Sequence, residues 1–194
     1  MLVFSQQNLV LLSVPKTGST AMEAALKPWA DIAFYKHRKH MPLRRYRRKV
    51  APFLASEFDL RPETMAVVRA PLDHLRSWYR YRAADLAVDF DGFVQAALAD
   101  NPPDWAQIGS QWNFVTDSRD QPAIDHLFSY EKQTVLRAFL CARMEADIRF
   151  KPLNVSPDAP TPISDDTLAA FNGAYADEIA LHARIISAGG HLRA

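Results

Sequence analysis

Two segments of the chain share one arrangement: a short apolar run, a tight turn carrying a cation, and then a helical pattern. The first apolar run, Asn8 to Val14, is nearly continuous and suits a strand buried on both faces. It ends in Pro15-Lys16-Thr17-Gly18-Ser19-Thr20, after which Met22, Ala25, Leu26 and Trp29 share one helical face until Pro28 limits the helix. The second run, Met65 to Val68, is closed by Arg69-Ala70-Pro71. Pro71 opens a helix to about Arg82, with Leu72, Leu75 and Tyr79 in a stripe. Strands alternating with helices predict an α/β layered fold with a mainly parallel sheet flanked by helices.

Further elements fit this scheme. Ile32 to Tyr35 and Ile124 to Tyr130 read as short strands. Phe90 to Leu98 reads as a helix broken at Asn101-Pro102-Pro103, and Val135 to Leu140 as another. The stretch from Gly109 to Asp120 has no clear period. Pro157 to Pro162 is a loop, and Ser164 caps one long helix with Leu168, Phe171, Tyr175, Ile179, His182 and Ile186 on its apolar stripe. No repeat or boundary divides residues 1–194, so one domain is expected. Leu9–Leu12 is too short for a secretory signal or a membrane span, and no cationic leader precedes it. The single cysteine, Cys141, allows neither an intrachain disulfide nor a cysteine-based metal site. A soluble, cytoplasmic protein is expected.

The Pro15–Thr20 turn has the chemistry of a phosphate or sulfate cradle. A glycine-containing turn ahead of a helix points several backbone N–H groups at one place, where the helix's positive end also lies, so the turn favours an anion. Lys16 adds a mobile cation there, and Ser19 and Thr20 add hydroxyls. The blander alternative is an ordinary strand-to-helix loop with a solvated lysine. The triphosphate-binding pattern G-x-x-x-x-G-K-[ST] is not met, because Ser19 follows Gly18 and the lysine precedes the glycine. At the second turn, Arg69 can fork onto phosphate oxygens, and Ser77 lies two helical turns further on. The competing structural role for Arg69 is an ion pair with a carboxylate.

Val14 to Thr20 resembles the 5′-phosphosulfate-binding loop of sulfotransferases that use 3′-phosphoadenosine 5′-phosphosulfate, especially the carbohydrate-directed branch. Arg69-Ala70-Pro71 followed by Ser77-Trp78-Tyr79 resembles that family's 3′-phosphate motif, with the serine eight positions after the arginine. Two positions depart from the pattern: Ala70 replaces a commonly acidic residue, and His74 stands where arginine is frequent. Tyr130-Glu131, Leu153-Asn154-Val155-Ser156 and the terminal helix resemble the later blocks, so the likeness spans nearly the whole chain. Asn154 and Ser156 are expected to order the loop near the donor.

The resemblance implies a P-loop-like fold and transfer of a sulfuryl group to a hydroxyl, with a small molecule or glycan as acceptor and no metal. Lys16 would act at the transfer centre, Thr17, Gly18, Ser19 and Thr20 would hold the 5′ end, and Arg69 with Ser77 would hold the 3′-phosphate. The family often places a base after the second strand, where this chain has Lys36-His37-Arg38-Lys39-His40. His40 is the first choice and His37 the reserve. Two other readings compete: a nucleotide-dependent kinase, and a module that binds anions or nucleic acid without chemistry.

The segment Lys36–Lys49 holds eight Lys or Arg residues, yet the whole chain carries a net charge of only +1. Its only interleaved aromatic is Tyr46, and no nucleic-acid motif accompanies it. Nucleic acid is therefore not expected as a partner. Arg44, Arg45, Arg47, Arg48 and Lys49 read mainly as a solvated helix face, the alternative being that they steer the polyanionic donor or an acidic acceptor such as a uronate-containing glycan.

Overall fold

A computed structural model of the chain describes residues 1–82, 86–151, 153 and 159–193. The six strands among the described residues join one sheet. In chain order they are β1 (Leu2–Phe4), β2 (Leu9–Leu12), β3 (Ile32–Ala33), β4 (Glu63–Val68), β5 (His126–Ser129) and β6 (His191–Arg193), and their spatial order is β3-β1-β2-β4-β5-β6. The centre, β2-β4-β5, is parallel, whereas β1 pairs antiparallel with both β2 and β3, and β6 pairs antiparallel with β5. The sheet is thus mixed, which corrects the expectation of a mainly parallel one. The cause is local. Asn8 adopts a positive φ of 47° and its N–H donates to the Ser5 carbonyl at 3.0 Å, folding β1 back on β2 as a hairpin.

The helices are α1 (Ser19–Leu26), α2 (Leu43–Lys49), α3 (Ala51–Phe58), α4 (Pro71–Arg82), α5 (Phe90–Leu98), α6 (Gln111–Val115), α7 (Gln133–Met144), α8 (Asp165–Ala174) and α9 (Ala176–Ser187). Successive strand residues alternate between two apolar layers. Val3, Val10, Leu12, Ala66, Val68 and Leu127 pack with residues of α2, α3, α6 and α9; Leu2, Leu9, Leu11, Met65, Val67 and Phe128 pack with α1 and α7. This two-sided burial makes the strands read as unbroken apolar runs. Each fully buried Leu or Phe contributes roughly 1.5–3 kcal/mol. A third cluster joins Leu75 and Tyr79 of α4 to Phe90, Phe93 and Val94 of α5 and Phe171 of α8.

The helix expected after Ser164 is two helices. Ser164 does cap α8, accepting from the Thr167 N–H, but Tyr175 leaves helical geometry at φ −106° and ψ 19°. The break shifts the apolar phase, so α9 buries Glu178, Leu181 and Ile185 while Ile186 is exposed. No helix among the described residues is long and apolar enough to cross a membrane.

Candidate functional site

The three central strands run parallel, so the loops after β2, β4 and β5 emerge side by side at one sheet edge, where α/β folds gather ligands. The loop after β2 turns sharply, with Lys16 at φ 62° and Gly18 at φ 74°. Glycine suits its position for two reasons. Its φ is left-handed, and an added Cβ would sit 3.1 Å from Cε2 of Tyr130. Lys16 has no such freedom, so its conformation costs roughly 1–2 kcal/mol that its surroundings must offset. Two bonds hold the turn: the buried Thr17 hydroxyl donates to the Val14 carbonyl at 2.9 Å, and His74 Nε2 donates to the Pro15 carbonyl at 3.1 Å. His74 is 1% exposed, and burial together with the nearby Arg69 and Lys16 charges pushes its pKa down to about 4. It is a neutral positioning residue that reaches from α4 to the loop.

Helix α1 starts directly after this turn. Its N-cap, Gly18, has no side chain to cap the first-turn N–H groups, which helix geometry leaves without intrahelical partners. The first i to i−4 bond runs from Met22 N–H to the Gly18 carbonyl at 3.1 Å. Ser19, Thr20 and Ala21 therefore present donors to the cleft beside them.

Lys16 Nζ lies 4.1 Å from the Tyr81 ring centroid and 5.8 Å from that of Trp78, and it has no carboxylate partner among the described residues. Burial, followed by the Arg69 and Arg82 charges, brings its pKa down to about 8. Arg69 is set in the same way, with its guanidinium 4.7 Å over Tyr130. Its Nε is buried and has no hydrogen-bond partner among the described residues. A buried donor left open in this way costs roughly 1–3 kcal/mol until something accepts from it.

His40 lines the same cleft. Its Nδ1 donates to the Ser13 carbonyl at 2.7 Å, which leaves Nε2 with the free lone pair of a base. Burial is the main cause of its lowered pKa; the Ser13 bond opposes that and the Lys39 charge adds to it. Lys39 pairs with Glu23 at 2.9 Å and donates to the Thr20 hydroxyl at 3.2 Å.

One cleft of about 610 Å³ is lined by Lys16, Thr17, Gly18, Ser19, Thr20, His40, Arg69 and Ser77, so the two turns and the first-choice base share it. His37, the reserve base, is exposed in the turn Lys36–Arg38 and is not among the cleft's lining residues. Asn154 and Ser156 lie outside the described residues. Lys39, Arg80 and Lys151 add cations to the lining, and no acidic side chain is among its described residues. The solvated-face expectation for the basic run needs one refinement. Arg44 donates to the Asp117 carbonyl at 2.6 Å and pairs with Asp120, and Arg47 donates to the Ala123 carbonyl at 2.8 Å.

Sequence reasoning missed several contributors. Trp78 and Tyr81 follow Lys16's cation only in space, and Gln111 sits in the stretch without a period. It marks its role by being 3% exposed and bonded to Arg69's main chain. Compared with known proteins, the chain matches no family model, no curated protein and no solved structure.

Proposed function

We propose that this chain is a sulfotransferase with a P-loop-like architecture. It would take its sulfuryl group from 3′-phosphoadenosine 5′-phosphosulfate and pass it to a hydroxyl acceptor. One observation carries this reading: the Lys16 turn and the Arg69–Ser77 pair, from separate strand-to-helix units, line the same cleft, which has no acidic side chain among its described lining residues. The residues present fit the donor. The turn's N–H groups suit its 5′ end, and Arg69 Nε, without a partner among the described residues, suits its 3′-phosphate.

In this reading the donor supplies an activated sulfuryl group as a co-substrate. The acceptor's proton passes to His40 Nε2 while a new sulfur–oxygen bond forms. The bond to the 5′-phosphate breaks and adenosine 3′,5′-bisphosphate leaves. Lys16, resting on aromatic faces and with no carboxylate partner among the described residues, can meet the charge that grows on the leaving phosphate, the strongest kind of electrostatic assistance. The Ser13 carbonyl keeps His40 in the tautomer that accepts a proton.

The test is incubation with the donor and a panel of alcohols, phenols and glycans, with sulfated product and bisphosphate read by mass spectrometry. Stoichiometric appearance of both supports the reading. Tight bisphosphate binding with no product across the panel would instead indicate a binding module.

A further inference from the structure

An arginine can select a phosphate only if the main chain beneath it is fixed, and Arg69 lies just beyond the last ladder residue of β4. Side chains take over there. Arg69 N–H donates to Gln111 Oε1 at 2.9 Å, and Gln111 Nε2 donates back to the Arg69 carbonyl at 2.9 Å. This reciprocal pair fixes the amide's orientation. The next N–H, that of Ala70, donates to Glu131 Oε1 at 2.8 Å.

Gln111 and Glu131 belong to different parts of the chain, yet both are braced by α9. The Glu178 carboxylate, 7% exposed, accepts from Gln111 Nε2 at 3.4 Å, from the Ser110 hydroxyl at 2.7 Å and from the Trp112 N–H at 3.1 Å. His182 Nε2 donates to Glu131 Oε2 at 2.9 Å, and the Ser129 hydroxyl donates to the same oxygen. Burial alone would raise the Glu131 carboxyl; the bonds from His182, Ser129 and Ala70 outweigh it and hold the pKa down to about 2. Residues 178 and 182 are one helical turn apart and so share a face.

We infer that α9 is a positioning helix for the 3′-phosphate arginine: Glu178 and His182 set Gln111 and Glu131, which fix the main chain of Arg69 and Ala70. Preference for a 3′-phosphate is thereby controlled from the far end of the sequence. None of these four residues lines the cleft, so each acts through Arg69 and not on the ligand. A purely structural role would not need this arrangement, because buried carboxylates are costly and apolar residues fill such space at least as well.

The inference rests on the donor reading above, and the experiment separates the two. Affinities for adenosine 3′,5′-bisphosphate and adenosine 5′-monophosphate are measured by calorimetry in the wild type, Gln111→Leu, Glu131→Gln, His182→Leu and His182→Gln. Wild type should prefer the bisphosphate. Gln111→Leu and His182→Leu should cut that preference by about tenfold or more while leaving monophosphate affinity within about twofold. His182→Gln, which keeps a donor for Glu131, and Glu131→Gln, which keeps an acceptor for Ala70, should retain most of it. If wild type shows no preference, the donor reading fails. If wild type prefers the bisphosphate and His182→Leu keeps the full ratio, the positioning role is wrong. Should Gln111→Leu not fold, the half-buried His182 variants decide alone.

Discussion

The arginines of α2 and the cations of the cleft differ in what surrounds them. Arg44 and Arg47 give their donors to Asp117, Asp120 and Ala123, tying α2 to the loop before β5. Lys16 and Arg69 instead rest on the rings of Tyr81 and Tyr130, and the buried Arg69 Nε–H has no acceptor among the described residues. An aromatic face steadies a cation without occupying its hydrogen-bond donors. Arg44 and Arg47 are therefore committed to the fold, whereas Lys16 and Arg69 are held by rings in the cleft.

The largest expected effect tests the cleft side of this contrast. Lys16→Ala should lower turnover by about 10²–10³-fold with an unchanged circular dichroism spectrum and melting temperature, as read by single-turnover release of bisphosphate. Retained turnover would remove Lys16 from the chemistry. Next, Arg69→Ala should weaken bisphosphate binding by about 2 kcal/mol and monophosphate binding much less, measured by calorimetric titration. An equal loss for both ligands would place the arginine elsewhere on the donor.

A pH profile sharpens the comparison further. With its pKa lowered, His40 stays neutral until pH falls below its ordinary value near 6.5, and Lys16 loses its proton near pH 8. Log kcat/KM should therefore fall on the acid side only below about 6.5, and fall again above about 8. Lys16→Arg should remove the alkaline fall. The smallest effect belongs to α2. Replacing Arg45, Arg48 and Lys49 together by Ala should shift stability by no more than about 0.5 kcal/mol per site in chemical denaturation and leave kcat/KM within about twofold. A large loss there would mean that steering by the basic run outweighs the cleft's own charge.

The centre of the fold was readable because β2 and β4 are buried on both faces and each ends in a turn carrying a cation. Their helices follow at once, and that proximity also exposed Lys16, Arg69 and Ser77. The edges were not readable. Strands β1 and β6 are three residues each, too short for a period, and the β1–β2 turn relies on Asn8 rather than the usual glycine. Helix α6 is five residues long, so Gln111 carried no amphipathic signal. At Tyr175 the apolar stripe continues in sequence while the backbone breaks, which hid Glu178 as a buried anchor. His74 looked like a departure from the family pattern, and only its 3.1 Å bond to Pro15 reveals its role at the Lys16 turn.

Calorimetric titration of the unmodified protein with adenosine 3′,5′-bisphosphate reaches the central claim most directly. The account predicts saturable binding at one site per chain, accompanied by a rise in melting temperature because the ligand favours the folded state. No heat and no thermal shift with the bisphosphate, alongside magnesium-dependent binding of ATP, would contradict it and point to a kinase.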